Sequence, residues 1–446
     1  MALLKKLTPA QTILIGFFAV IFIGGLLLTL PIASANGSFT EPIDAFFTSV
    51  SATCVTGLVT LDTGTYWSVF GKAVILILIQ VGGMGVMSMS FMVSIIMKRR
   101  VTPRERLIFV QSMNLPDYSK VMRFFKDMML FTFIFEGAGA ILLSLRFIPQ
   151  FGFWEGLGKS VFHSISAFCN AGFDIFGNFQ SLTGYASDSY INLVIALLII
   201  FGGLGFVVWE NLYRKARYGE TLSPYTKVVL VTTGVLLIGG AVLILVSEWS
   251  NAGTIGASSF PQKLQESFFQ SVTFRTAGFN TIDQGALTGM SKFIGMILMF
   301  IGGSSASTAG GIKTVTFALL FVGVLSIARG RKEITIYGRR VENSALLRAL
   351  SLAGIALTSI VIGSLLLGLT QSAPFLDVLF ETFSAFGTVG LSTGITSTLN
   401  VFGKLIIMLL MYFGRVGILT VTYSILIGLN KNKQTIKYPK TNFLIG

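Results

Sequence analysis

Thr53-Cys54-Val55-Thr56-Gly57-Leu58 recurs in three further spellings: Phe168-Cys169-Asn170-Ala171-Gly172-Phe173, Phe274-Arg275-Thr276-Ala277-Gly278-Phe279 and Phe386-Gly387-Thr388-Val389-Gly390-Leu391. A phenylalanine stands at one fixed distance ahead of each glycine (Phe47, Phe162, Phe268, Phe380), and Ala52, Ala167, Thr273 and Ala385 stand at a second. Copies that return every roughly 110 residues mark a tandem repeat. Strongly apolar runs flank each copy, so the repeating unit is apolar helix, short segment ending in glycine, apolar helix. Four such units about one axis form a pore.

Of 446 residues, 53% are hydrophobic and only 12% charged, and the mean hydropathy is +0.78. That balance is too apolar for a soluble protein of this size and predicts a polytopic membrane protein surrounded by lipid. The 49 glycines and 40 phenylalanines suit close helix packing there. A net charge of +14 could suggest nucleic acid, but the basic residues lie in blocks between apolar runs. Lys98, Arg99, Arg100, Arg104 and Arg106 form one block; Arg214, Lys215 and Arg217 a second; Arg329, Arg331, Lys332, Arg339 and Arg340 a third. Such blocks mark cytoplasmic loops, so no nucleic-acid partner is expected. Cys54 and Cys169 make neither a disulfide framework nor a metal site and are expected as small core residues.

Thr12–Ile32 is long enough to cross a bilayer, and Lys5 and Lys6 ahead of it set the N-terminus in the cytoplasm. The run resembles a signal peptide, but repeat structure follows Pro31 directly, which predicts an uncleaved first span. Ile43–Ala52 is too short to cross and predicts a re-entrant half-helix leading to Gly57. Gly71–Met97 then returns to the first basic block. The pattern repeats with spans over 127–148 and 189–209 about a half-helix before Gly172. It continues with 227–247 and 293–328 about a half-helix over 264–273, then 350–370 and 404–429 about one over 376–385. The expected fold is an all-α membrane protein of four tandem helix–pore-loop–helix repeats. Eight transmembrane spans and four re-entrant half-helices surround a pseudo-fourfold pore in one integral membrane domain. The repeats cover residues 1–100, 101–218, 219–340 and 341–446, and both termini are expected in the cytoplasm, as in a multi-pass protein of the plasma (cell inner) membrane.

A cation leaving water needs oxygens to replace its hydration shell, and backbone carbonyls supply them if the chain can aim them at the axis. Glycine permits that aim, since without a Cβ it reaches backbone conformations that other residues resist. Half-helices ending at the glycines would direct their partially negative C-termini inward, favouring cations. The four stretches contain no carboxylate ring, and Gly311-Ile312-Lys313-Thr314 lacks the upstream glycine of a phosphate loop. No clustered His, Cys or carboxylate constellation suggests an enzyme.

Four single-glycine strands, combined with an interrupted helix in the third repeat, resemble the superfamily of potassium transporters of the Trk, Ktr and plant high-affinity types. The resemblance covers essentially the whole chain and is greatest to the membrane subunit of bacterial Ktr potassium uptake systems. It implies one filter strand per repeat: Val55-Thr56-Gly57, Asn170-Ala171-Gly172, Thr276-Ala277-Gly278 and Thr388-Val389-Gly390. Glycine in all four strands goes with potassium preference, whereas serine in the first goes with sodium transport in some plant members. Potassium is therefore the implied transported ion, held by backbone carbonyls at Gly57, Gly172, Gly278 and Gly390, with sodium a candidate second ion. The resemblance also implies a homodimer, a cytosolic nucleotide-binding ring subunit that regulates it, and no cofactor in this chain.

Three charged or polar positions stand out in apolar context. Arg275 adjoins a filter strand and must point away from passing cations, toward backbone or an acidic partner. Glu136 lies mid-span, as a structural bridge or facing a cavity. His163 is expected as a packed, hydrogen-bonded ring rather than a proton relay. The third returning run is unlike the others, because Gly302, Gly303, Ser304, Ser305, Thr308, Gly310 and Gly311 fall at its middle, followed by Lys313. Each glycine costs a helix about 1 kcal/mol relative to alanine, and irregular backbone at that depth survives only against protein or a water-filled cavity. Residues 302–314 are expected to gate the pore. Arg415, which replaces a glycine of the equivalent motif in the fourth repeat, is expected to help hold that gate shut. The competing expectation is an alternating-access sodium/potassium symporter, since broken helices also form substrate sites in that class.

Overall fold

The computed structural model describes residues 7–97, 101–113, 121–331 and 333–417. Thr8 starts the first helix, α1 (Pro9–Thr29), with a capping box to Gln11 and a proline in the first turn. The chain then forms the short α2 (Pro42–Cys54), α3 (Val69–Met84), α4 (Val86–Ile96) and α5 (Pro103–Ser112). The second quarter contains α6 (Val121–Phe151), α7 (Phe153–Phe168), α8 (Ser189–Leu204) and α9 (Phe206–Tyr218). The third contains α10 (Pro224–Glu248), α11 (Phe260–Phe274), α12 (Gly289–Phe300) and α13 (Thr314–Ala328). After the short strands β1 (Thr335–Ile336) and β2 (Arg339–Arg340) come α14 (Asn343–Thr370), α15 (Phe375–Gly387) and α16 (Val401–Val416).

Among the described residues, α1, α6, α10 and α14 are long and apolar enough to cross a membrane, and each precedes one of the buried short helices α2, α7, α11 and α15. Glycine brings these elements together. A Cβ on Gly24, Gly139 or Gly240 would lie 2.6, 2.5 or 2.4 Å from the hydroxyl of Ser49, Ser164 or Ser271 on the adjacent short helix. The same Cβ would meet Leu78, Leu198 or Leu298 of the returning helix at 2.7 to 2.8 Å, and Gly363 faces Leu410 likewise. Those hydroxyls donate to carbonyls of the long helices, at Ile21 (2.7 Å), Glu136 (2.6 Å) and Leu237 (2.8 Å). Each contact satisfies a buried hydroxyl that lipid could not.

The returning runs are interrupted at glycines. Gly71–Met97 breaks at Gly85 and Ser189–Trp209 at Gly205, where φ is +85° and +87°, and α8 and α9 meet at 96°. A glycine in the left-handed half of φ ends a helix without the clash that a side chain would bring. The third run leaves the helix between Phe300 and Thr314, as expected. In the fourth, α16 stops before Gly417 (φ +90°). The remainder of the run to Leu429, the basic tail Lys431, Lys433, Lys437 and Lys440, and Lys5, Lys6, Lys98, Arg99, Arg100 and Lys332 lie outside the described residues. The all-α expectation needs one amendment, because β1 and β2 pair antiparallel in a basic hairpin between α13 and α14.

Candidate functional site

Each short helix runs directly into one of the four glycine strands, and the four glycines close into a ring. A Cβ on Gly57 would lie 2.4 Å from the Ala171 carbonyl oxygen, one on Gly172 2.8 Å from that of Ala277, and one on Gly278 2.6 Å from that of Val389. One on Gly390 would lie 2.0 Å from that of Thr56, which completes the circuit. All four glycines have positive φ, between +69° and +95°. Val55, Asn170, Thr276 and Thr388, two positions earlier, are also left-handed, with φ of +57°, +59°, +66° and +52°. That conformation is tolerated by asparagine but is an outlier for β-branched residues. Such strain at three of the four matched places, Val55, Thr276 and Thr388, persists only when the surroundings enforce it.

Hydrogen bonds set which way the strands face. Thr56 and Gly57 donate their amides back to Ser51, through its carbonyl (2.8 Å) and hydroxyl (3.1 Å). Val389 and Gly390 do the same to Ser384 (2.8 and 3.2 Å), and Ala171 and Ala277 donate to Ser166 and Thr273. A trans peptide carries its carbonyl opposite its N–H, so the carbonyls of Val55, Thr56, Asn170, Thr276, Thr388 and Val389 turn away from the half-helices. The hydroxyls of Thr56, Thr276 and Thr388 are buried with no partner among the described residues. Backbone carbonyls and threonine hydroxyls arranged in this way are the oxygens that a cation leaving water requires.

Two cavities with no shared lining residue lie about this ring. One, of 340 Å³, is floored by the four glycines and lined by Asp62, Asp174, Asp283 and Gln284. Burial, reinforced by Asp62, pushes the Asp174 carboxyl up to about 7. The other, of 210 Å³, is lined by residues of the segment 301–313 together with Gly83, Gly85 and Arg415.

That segment forms a closed loop. Gly302 donates to Ile312 (2.9 Å) and Thr314 to Gly303 (3.0 Å) at its neck. At its tip, the Ser304 amide donates to the Gly203 carbonyl (3.0 Å), the Ser304 hydroxyl donates to Leu204, and Phe206 donates to Ala306 (2.9 Å). The tip therefore takes up the groups that the break at Gly205 frees. Tyr225 donates to the Ser305 carbonyl (3.2 Å), Lys313 donates to Ala309 (2.7 Å), and a Cβ on Gly310 would press into Thr388. Arg415 donates to the carbonyl oxygens of Thr308 on the loop, Gly82 (2.5 Å) and Gly83 (3.0 Å).

The other singled-out residues also acquire partners. Arg275 turns away from the ring to donate to the Gly302 carbonyl (3.0 Å) and the Thr314 hydroxyl (3.2 Å). Glu136 accepts from Gln80 (3.2 Å) and lies 3.7 Å from the Cys169 sulfur. His163 bonds the Lys159 carbonyl, accepts from the Ile175 amide and stacks on Phe176. Cys54 and Cys169 are buried and free. Sequence reasoning missed the polar contacts at the outer ends of the half-helices: Lys404 with Asp44 (2.5 Å), Lys292 with Asp377 (2.8 Å) and Ser189 with Gln265 (2.5 Å). Each joins the first turn of a returning helix to the first half of the next short helix. The only signal was a lysine at the matched fourth position of the returning helix in three of the repeats, Lys72, Lys292 and Lys404, and Lys72 donates instead to the Gly64 carbonyl (2.6 Å).

The chain is also similar to known proteins. A family model described as TrkH, cation transport protein, matches residues 7–435. The potassium/sodium uptake protein NtpJ of Enterococcus hirae is 40% identical, over 99% of this chain and 98% of its own length. The Ktr system potassium uptake protein B of Bacillus subtilis is 40% identical over 99% and 97%. The crystal structure of the potassium transporter TrkH from Vibrio parahaemolyticus superimposes with a TM-score of 0.70 at 18% identity, covering 93% of this chain and 85% of that one, a likeness of fold. A helical membrane chain matched over residues 7–435 by one family, with relatives this similar end to end, is a member of the TrkH family of cation transport proteins.

Proposed function

We propose that this protein carries potassium into the cell through a pore whose selectivity filter is the ring of Gly57, Gly172, Gly278 and Gly390. The observation that carries the reading is the cyclic contact pattern, in which each glycine meets the carbonyl of the next strand and the fourth meets the first. Relatives named as a potassium/sodium uptake protein and a potassium uptake protein support the ion. The four long helices, each leading into a short one, support four repeats of residues 1–100, 101–218, 219–340 and 341–446. The broken returning segments then complete eight crossings of the plasma membrane, with both termini cytoplasmic.

The loop 302–314 is the gate in this reading, and Arg415 is its latch. A permanent guanidinium charge below the ring repels cations while its donors hold the loop in the path. In this reading the protein is a homodimer and a cytosolic nucleotide-binding ring subunit moves that loop, consistent with a relative named as one protein of a Ktr system. An alternating-access symporter would call for two inverted halves, whereas the glycine contacts run in one direction around the ring.

Purified protein in liposomes tests the reading. Potassium flux should reverse when the gradient is reversed, exceed sodium flux, and proceed without an imposed sodium gradient. Flux obligatorily coupled to sodium at fixed stoichiometry would establish the symporter instead.

A further inference from the structure

Thr308 is the one residue of the loop that touches three separate elements around the filter. Its amide donates to the Gly202 carbonyl at the end of α8 (3.3 Å), and its carbonyl accepts from Arg415. Its hydroxyl, wholly buried, is 3.2 Å from Oδ1 of Asn170 and 3.1 Å from the Phe168 carbonyl. One hydroxyl proton is thus shared between a filter-strand side chain and the half-helix end behind it. The space is fully used: a Cβ on Gly202 would lie 1.9 Å from the Phe168 oxygen, 2.7 Å from Asn170 Oδ1 and 2.8 Å from the Thr308 hydroxyl.

Asn170 differs from its counterparts. Val55, Thr276 and Thr388 hold the same left-handed conformation against their own β-branching, and neither Thr276 nor Thr388 has a partner for its hydroxyl among the described residues. Asparagine tolerates that conformation unaided, so strand two needs the least enforcement from its neighbours to hold it. Its side chain is 1% exposed, and Nδ2 has no partner among the described residues. Its single described side-chain bond is the one to the loop.

We propose that Thr308 is a positioning residue that couples the loop to the second filter strand, so that opening the gate alters ion discrimination together with flux. This deepens the reading of 302–314 as the gate and rests on it. With the loop in place, the Thr308 hydroxyl fixes the Asn170 side chain and, through it, the carbonyl direction of Asn170. When the loop withdraws, both polar ends of the Asn170 amide lose their protein surroundings and turn to the water or ions of the open path, and strand two relaxes. The contact is with the side chain two positions before Gly172, so it acts on the geometry of the ring without occluding it.

The test is full-length protein in liposomes carrying Thr308→Val, which keeps the shape and removes the hydroxyl, beside Thr308→Ser, which restores it. Potassium flux and the potassium-to-sodium flux ratio are measured together. For Thr308→Val, flux should rise about fivefold, the factor expected for one buried hydrogen bond, and the ratio should fall by at least about twofold. Thr308→Ser should bring both back toward the parent values. Asn170→Ala should lower the ratio and abolish the further effect of Thr308→Val on it. A rise in flux with an unchanged ratio overturns the coupling and leaves the gate standing. Unchanged flux and ratio, in protein that elutes and melts as the parent does, overturns the coupling, and the same silence in Arg415→Ala overturns the gate with it.

Discussion

Replacing Gly390 with alanine is expected to abolish selective potassium flux while the protein still folds and inserts. The added Cβ would lie 2.0 Å from the Thr56 carbonyl oxygen and 2.9 Å from Cα of Gly57, both backbone atoms that cannot swing aside as a flexible side chain can. Gly390 also sits at φ +91°, where an L-residue carries strain of about 1–3 kcal/mol before any clash is counted. The strands must separate, and they can do so only by opening the ring at its closure between strands four and one. Initial flux of potassium should fall at least about tenfold, which corresponds to ~1.4 kcal/mol in the barrier. Gly57→Ser faces the Ala171 oxygen at a less severe 2.4 Å and should lower the preference for potassium over sodium. Normal ion competition in both variants would remove the ring from the conduction path.

The second large effect is expected at the loop. Arg415 donates to one loop carbonyl and to two on α3, Gly82 and Gly83. Bonds from a charged donor contribute about 1.5–3 kcal/mol each. Arg415→Ala removes all of them together with the guanidinium charge, so the loop loses its tie to α16 and, through Arg415, to α3. Deleting Ser304–Thr308 removes the loop tip and with it the bonds to Gly203 and Leu204. Both variants should raise basal potassium flux about tenfold or more and weaken its dependence on a cytosolic regulatory subunit. Flux that stays low and fully subunit-dependent, in protein of normal melting temperature, would contradict the latch.

What the sequence made legible follows from how local the cause is. The four ring glycines could be found because only glycine combines positive φ with approach of one backbone to another, so its identity is written at each position. The interrupted third returning run was legible for the same reason, since Gly302, Gly303, Gly310 and Gly311 crowd one segment. The breaks at Gly85 and Gly205 were less so, because the glycines of Gly82-Gly83-Met84-Gly85 and Gly202-Gly203-Leu204-Gly205 suit close packing as well as a kink. Gly82 and Gly202 indeed pack: a Cβ on either would collide with the Thr53 or Phe168 carbonyl. Left-handed Val55, Thr276 and Thr388 run against local preference, so only the assembled ring reveals them. The pairs Lys292–Asp377 and Lys404–Asp44, like the bond from Arg275 to Gly302, join segments far apart in the chain. A charge announces that it needs a partner without naming it.

Crystals grown in thallium, an electron-dense substitute for potassium, reveal whether the four glycine strands hold the transported ion. Anomalous density should lie on the axis enclosed by Gly57, Gly172, Gly278 and Gly390, and should fade there in Gly390→Ala. Density confined to other sites, with the axis empty in protein that conducts thallium, would contradict the account.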